Sequence, residues 1–529
     1  MVGADLGRYV LVVDQGTTCT RASLIDSEGR LISHAVRGHR RISPRPGWVE
    51  HDPRELWLNV KAVMREALKA GGVEGRDVAC VGVANQRETL VVWNPRTGEP
   101  LYNAIVWECR RSAKLAEALR EEHLALIRSK TGLIPDASFT GTKIWWLLEN
   151  VPRVREACLR GEAFFGTVDS WVVWNLTRGG RDVATPWAGG AFITDYSNAS
   201  RTMLFDIHRL DWDPELLEIM GGVPQSSLPT PMPSSSVYGY VGPEVRDGVF
   251  GGREVPVCSA IGDQQASLFG QACLSIGDVK ASYGVGNFIL ANTGDKPVES
   301  RRGLLTTIYY SLERNRVTYA LEGAVFVTGE AIRWLKEVLG IVRDEAEASR
   351  LAASVSSNEG LYFIPAFLGL GAPHWDMHAR GLLIGITERT ERAHIARAVL
   401  ESIAYMTADV VDAIASDMGM SVGEVRADGR VTESEWLMQF QADVLGAEVV
   451  LPEVREVTSL GAAFLAGLAI GFWRGLESVR RLWRPAKRFK PTIGDEERIR
   501  LRRGWQAALE RAKGWAKEVP WAYLKHSTA

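Results

Sequence analysis

The sequence predicts an α/β protein built of two related domains, and three observations predict it. Apolar, β-branched runs stop abruptly on a carboxylate, an amide or a glycine, and charge at the end of a buried strand faces the crevice of an α/β sheet. A Gly-containing hairpin opens each half of the chain, first at Asp14-Gln15-Gly16-Thr17-Thr18 and again at Tyr283-Gly284-Val285-Gly286. And 529 residues are too many for one ordinary hydrophobic core. The expected domains are 1–270 and 271–529, with 476–529 read as surface helices.

Composition narrows the function classes. Hydrophobic residues make up 46% and charged residues 24%, as in a soluble globular protein. The formal net charge of −2 gives no basic surplus for nucleic acid. Six cysteines, at 19, 80, 109, 158, 258 and 273, are scattered without a CxxC pair. That pattern favours a reducing, cytoplasmic setting over a zinc site or a disulfide framework. No signal peptide is read at the N-terminus. The apolar run Leu460 to Trp473 falls short of the ~20 residues that span a bilayer, so it is expected to be a buried helix and no membrane partner is expected.

Taken in order, Tyr9 to Val13 is an apolar strand ending on Asp14, Gln15-Gly16 is a tight turn, Thr17 to Arg21 and Ala22 to Ile25 alternate polar and apolar residues, and a third strand follows the turn Ser27-Glu28-Gly29 near Leu31 and Ile32. A hairpin tip with a glycine, two hydroxyls and free backbone N–H groups can hold phosphate oxygens. A carboxylate beside it can hold Mg²⁺, which prefers oxygen ligands and bound phosphates. An ordinary hairpin with an exposed Asp is the plainer alternative. Asp52 and Pro53 start a helix, with Glu55 placed to close a capping box and Leu56, Val60, Val63 and Met64 on one face. Cys80 to Ala84 is a buried strand leading into Asn85-Gln86-Arg87-Glu88, and Ile105-Val106-Trp107 is another. Gly141-Thr142-Lys143 opens a helix. Thr177 to Tyr196 reads as a surface insertion and Pro224 to Gly252 as a long irregular connection. Val255 to Ile261 is a strand that runs into Gly262-Asp263-Gln264-Gln265, a second Asp at a strand-to-helix junction. Leu361 to Ala366 is a strand, Arg392 to Met418 a long helix capped by Gly419, and Val425 to Asp428 a strand into Gly429-Arg430. Glu456 to Trp473 is a small-residue helix able to pack closely on a sheet.

These pieces together resemble the FGGY carbohydrate kinase family, and within it the members that act on glycerol. The matching segments include Asp14-Gln15-Gly16-Thr17-Thr18, Gly47-Trp48-Val49-Glu50-His51-Asp52-Pro53, Asn85-Gln86-Arg87-Glu88-Thr89, Asn198-Ala199-Ser200-Arg201-Thr202, Gly262-Asp263-Gln264-Gln265, Leu321-Glu322-Gly323 and Gly369-Leu370-Gly371-Ala372-Pro373. They keep their order from near residue 9 to near residue 475. The resemblance implies two actin-like (ribonuclease H-like) ATPase domains with a cleft between them, and ATP- and Mg²⁺-dependent phosphorylation of a polyol hydroxyl, giving glycerol 3-phosphate from glycerol. It implies Asp263 as the base and Asp14 with Asp263 as metal ligands. Arg87, Glu88, Asp263 and Gln264 would bind hydroxyls, with Trp107 and Phe288 against the carbon chain. Thr17, Thr18, Arg21, Gly284, Gly329 and Gly429 would hold the nucleotide. A homo-oligomer, dimer or tetramer, is implied by resemblance only. No Walker sequence is present, so the P-loop route to this chemistry is not supported.

Five positions depart from the family pattern. A Tyr that touches glycerol falls at Ser138, a hairpin Thr at Val285, a Gln near the nucleotide at Arg333, the second Gly of a turn at Arg430 and an adenine-contacting Asn at Ser434. An Arg in place of a glycine is expected to crowd a ligand lying on the chain. A lost donor to a charged group costs about 1.5–3 kcal/mol, or roughly tenfold to a hundredfold in affinity. Three readings therefore stay open at this point: a glycerol kinase with a rearranged adenine site, a kinase for another polyol, sugar or donor, and a polyol-binding protein without catalysis.

Overall fold

Two mixed sheets that share a leading hairpin and its late parallel partner organise the chain in the computed structural model, which describes residues 7–181 and 189–518. The first is built from β1 (Tyr9–Gln15), β2 (Cys19–Asp26), β3 (Leu31–Gly38), β4 (Val78–Asn85), β5 (Ser235–Tyr240) and β6 (Pro256–Gly262), in the order β5-β6-β4-β1-β2-β3. The second contains β7 (Val279–Tyr283), β8 (Asn287–Gly294), β9 (Leu305–Glu313), β10 (Arg316–Val325), β11 (Glu424–Asp428), β12 (Glu448–Pro452) and β13 (Pro485–Phe489), in the order β9-β10-β8-β7-β11-β12-β13. In each, a leading strand lies antiparallel to the next and parallel to one that arrives much later: β1 with β2 and β4, β7 with β8 and β11. The two glycine hairpins, β1–β2 and β7–β8, thus occupy equivalent places. This is the duplicated actin-like α/β fold.

The helices follow from apolar spacing. α1 (Pro53–Gly71) buries Leu56, Val60, Val63 and Met64, the face its sequence marks. Asp52 caps it by accepting the N–H of Arg54, but Glu55 turns away to Arg40, so the expected capping box does not form. α2 (Thr140–Asn150) starts at the Gly141-Thr142-Lys143 segment, and α3 (Asp263–Gly270) grows directly from the end of β6. α4 (Gly329–Glu337) precedes the long α5 (Arg392–Met418), which Gly419 ends in the left-handed region, and α6 (Glu435–Leu445) lies beyond β11.

α7 (Val457–Ala469) belongs to the second half of the chain yet packs on the first sheet, against β1, β4 and β6. It also crosses α3 at touching distance. A Cβ on Gly270 would lie 1.9 Å from the carbonyl oxygen of Val457, and one on Gly461 1.9 Å from that of Ala266. The small residues of α7 exist for this crossing, which binds the two halves together beneath the cleft.

Three expectations are corrected. The flanks of the supposed insertion 177–196 are core: Thr177 accepts the N–H of Ala191, and Ala191, Phe192 and Ile193 are buried (residues 182–188 lie outside the described residues). Pro224 to Gly252 is not irregular. It holds a three-residue strand, Thr230–Met232, then β5 and the helix Pro243–Phe250, because its apolar residues pack on the first sheet. The tail is not only surface helices. β13 completes the second sheet beside β12, and α8 (Asp495–Ala512) buries Trp505 and Leu509 completely in the second core.

Candidate active site

Three adjacent parallel strands set the site. Asp14 on β1 pairs with Ala84 on β4, and Ala84 pairs with Ile261 on β6. Register alone therefore delivers Asp14 and Asp263 to the same sheet edge. Asp263 is the first residue of α3. Its carboxylate accepts the N–H of Gln264 at 2.7 Å and lies 3.5 Å from Nε of Arg87. Burial pushes the Asp14 carboxyl up to about 7; Arg21 opposes the shift, and the Asp263 and Glu456 charges add to it. Burial also raises Asp263, with Arg87 opposing and Glu88 reinforcing. Burial is the first cause of both shifts, and the two carboxylates are close enough for the Asp263 charge to act on Asp14.

Beside them lies a buried ionic network. Arg87 binds both oxygens of Glu322, donates to Gln265 Oε1 at 3.2 Å and reaches toward Glu88 at 3.9 Å. Arg201 donates from Nε to Glu88 Oε1 at 2.6 Å and from Nη2 to Glu322 Oε1 at 3.1 Å, while its Nη1 is buried without a partner among the described residues. The arginines hold the Glu322 carboxyl down at about 2 against its burial. Glu88 adopts φ 61, a left-handed conformation rare for a side chain of its kind, and its carbonyl accepts from Thr140 and Lys143. Such strain is held only where neighbours over-determine it.

Sequence reasoning assigned no role to Glu322, Arg201, Gln265 or Lys280. A signal was present for two of them. Glu322 and Lys280 sit inside otherwise apolar strands, and a charge buried there is costly unless paired. Gln86 was missed as well: its N–H donates to the carbonyl of Gln15 and its side chain to that of Gly16, pinning the first hairpin from β4.

Trp107 and Phe288 come together as expected, with ring centroids 6.3 Å apart and nearly perpendicular. Arg87 lies 5.6 Å over Phe288, and the Trp107 indole donates to Thr17 Oγ1 at 2.9 Å. That bond joins the apolar wall to the first hairpin. Ser138, where a Tyr was expected, is half-buried and gives its carbonyl to Lys143. Arg21 is engaged by Glu456, with Asp14 3.9 Å away.

On the other lobe, Gly284, Gly329 and Gly429 converge. Gly329 donates its N–H to the carbonyl of Gly284 at 3.0 Å, and a Cβ on Gly329 would lie 2.7 Å from that oxygen. Gly429 has φ 97, and a Cβ there would lie 2.3 Å from the carbonyl of Tyr283. The departing side chains are exposed or paired with their own neighbours. Val285 is 67% exposed, Arg333 pairs with Glu330 and Glu337 on its own helix, and Arg430 is 79% exposed and pairs with Glu345 at 3.3 Å. Ser434 caps α6 by accepting the N–H of Leu437. Among the described residues no cluster of three or more His, Cys, Asp or Glu could cage a metal. Asp14 and Asp263 suit instead a hard cation shared with phosphate oxygens.

Fold and site together define a class, the two-lobed α/β phosphotransferase with its chemistry in the cleft. Residues 9–270 match the N-terminal domain and residues 279–470 the C-terminal domain of the FGGY family of carbohydrate kinases. A glycerol kinase 2 of Thermotoga maritima is 50% identical over 511 residues, covering 96% of this chain and 100% of that protein. A crystal structure of the Plasmodium falciparum glycerol kinase with ADP superposes with a TM-score of 0.87 at 36% identity, covering 96% of this chain and 99% of that one. A ligand-bound xylulose kinase from Lactobacillus acidophilus has a TM-score of 0.84 at 20% identity over 98% of this chain and 99% of its own, a likeness of fold alone. The chain belongs to the FGGY family of carbohydrate kinases and is a phosphotransferase acting on an alcohol group.

Proposed function

We propose that this protein transfers the terminal phosphoryl group of ATP to a primary hydroxyl of glycerol, forming glycerol 3-phosphate. One observation carries the reading: a partly open Asp263–Gln264 pair lies beside the buried Arg87–Glu88 pair and the Trp107–Phe288 wall, at the edge that also bears Asp14. A triol suits such a mixture of hydrogen-bonding side chains and flat rings.

Phosphoryl transfer depends on positioning, charge neutralisation and a base for the hydroxyl proton. Asp263 takes that proton as the acceptor oxygen bonds to phosphorus and ADP leaves. Its raised proton affinity favours this role, and Arg87 keeps the carboxylate aimed. Arg87, Glu88 and Gln264 hold the remaining hydroxyls, while Trp107 and Phe288 exclude water from the carbon chain. Thr17 and Thr18 receive donor phosphates at the first hairpin. Arg21 joins them by exchanging Glu456 for phosphate. Gly284, Gly329 and Gly429 supply bare backbone to the nucleotide. Asp14 and Asp263 would hold Mg²⁺, which neutralises phosphate charge when bound.

The family matches support a division close to 270/271. No described helix is long and apolar enough to cross a membrane, and all six cysteines are free, which suits a cytoplasmic enzyme. A homo-oligomer rests on resemblance and is tested by light scattering.

Incubation with ATP, Mg²⁺ and acceptors from glycerol to pentitols and ketoses tests the proposal by ADP release. Glycerol is expected to give the highest kcat/KM. A pentitol ahead of glycerol would instead favour the second reading, for which the shorter side chain at Ser138 speaks. No ADP release with any acceptor would overturn both.

A further inference from the structure

Lys280 stands out among the groups that this mechanism leaves unused. It is an ammonium fully buried in β7, and among the described residues no carboxylate lies within ion-pairing distance of it. Its Nζ donates instead to Gln264 Oε1 at 2.5 Å and to Ser282 Oγ at 2.8 Å. The second contact continues inward: Ser282 Oγ lies 3.1 Å from Ser267 Oγ, which donates to Asp428 Oδ2 at 2.9 Å. Gln271 donates to the same oxygen at 3.2 Å. The lysine is thus anchored on a hydrogen-bonded chain that ends on a carboxylate of β11. Among the described residues Gln264 is its one hydrogen-bonded partner on the acceptor side, while its charge also acts on Asp263, Arg87 and Glu322.

A lysine ammonium has donors and no acceptor. The amide atom that it holds must be the carbonyl oxygen, so the NH₂ group of Gln264 is turned the other way. Gln264 is half-buried, next to the partly open Asp263. We infer that Lys280 is a positioning residue for the acceptor site: it locks the Gln264 amide with its donors toward the cleft, so that Gln264 and Asp263 form a donor–acceptor pair matched to neighbouring hydroxyls of one polyol. This rests on the proposed acceptor role of Gln264. One hydroxyl gives its proton to the Asp263 carboxylate, and its neighbour receives a hydrogen bond from the Gln264 amide. A free amide would spend part of its time with its oxygen facing the cleft, where it repels the lone pairs of that second hydroxyl. Because Lys280 comes from the second half of the chain and Gln264 from the first, the match also exists only while the two halves are docked.

Lys280→Met keeps the length and removes the donor. The expected result is a rise of about tenfold in KM for glycerol, as for one hydrogen bond of about 1.4 kcal/mol, with kcat and KM for ATP within threefold. Lys280→Arg retains a donor and is expected to recover most of the loss. Gln264→Ala should raise KM as much as Lys280→Met. The double variant should be no worse than Gln264→Ala alone, since residues that act through one another are non-additive. Melting curves check that each variant folds, and Lys280→Arg keeps the test open should Lys280→Met not fold. An unchanged KM in Gln264→Ala would remove the acceptor role of Gln264 and the inference with it. A raised KM in Gln264→Ala with an unchanged KM in Lys280→Met, or additive losses in the double variant, would overturn the role of Lys280 while leaving that of Gln264 intact.

Discussion

Two regions of the proposed site are opposite kinds of surface. The proposed acceptor side is made of side chains from both halves that hold one another: Arg87 of the first on Gln265 and on Glu322 of the second, Arg201 on Glu88 and Glu322. The proposed nucleotide side, drawn from the second half alone, is made of missing side chains, with Gly284, Gly329 and Gly429 packed backbone to backbone. The difference teaches where substitution is tolerated. A buried network fails when one member is removed, because the partner is left unpaired. A glycine surface fails where a Cβ meets backbone. Val285, Arg333 and Arg430 are exposed and displace no backbone or core side chain, so a chain with these departures keeps the family's architecture.

Four measurements sharpen or break this contrast. The largest effect is expected for Asp263→Asn, which keeps the shape and removes the base. Turnover should fall by about 10³-fold, within the range for general-base loss, while glycerol still raises the melting temperature. Turnover within tenfold of wild type would end the assignment. Gly429→Ala comes next. Its φ of 97 and the 2.3 Å approach to Tyr283 leave no room for a methyl group, so a loss of about 1–3 kcal/mol in stability is expected by denaturant titration, with a raised KM for ATP. The matching change at an exposed departure, Arg430→Gly, should alter KM for ATP less than twofold. A large effect there would show that Arg430 does shape the nucleotide site.

A smaller effect concerns pH. The Asp14 carboxyl, ordinarily near 3.8, is raised to about 7. The unfolded chain therefore gives up this proton first, and the folded protein loses stability as pH rises from about 4 through 7. A bound cation replaces the proton, so stabilisation by magnesium chloride should grow between pH 6 and pH 8. Asp14→Asn should abolish that growth; equal gains at both values in the wild-type protein would remove Asp14 from the metal site.

Much of the acceptor side was legible because it lies where strands end. Asp14, Arg87 and Asp263 each follow an apolar run, and the parallel register of β1, β4 and β6 gathers them. The long helix at Arg392–Met418 matched its sequence signal to the residue, because its apolar spacing and terminal glycine agree. The partners of those site residues were not legible. Glu322 is 235 positions from Arg87, and nothing local shows that two strands of different halves will meet. The tail misled for a related reason. Lys487 and Arg488 read as a solvated surface, and the strand they form is an edge whose charges point outward while its backbone pairs with β12.

By itself the sequence determined the strands that lead into Asp14, Arg87 and Asp263, the long helices and the glycine turns, since these depend on side-chain chemistry and short-range spacing. The tertiary structure decided which of these groups face one another. It set the Arg87–Glu322–Arg201 pairing, the hold of Lys280 on Gln264 and the pairing of Arg430 with Glu345. The first two join the halves of the chain, and they exist only once those halves close on the crossing of α3 and α7.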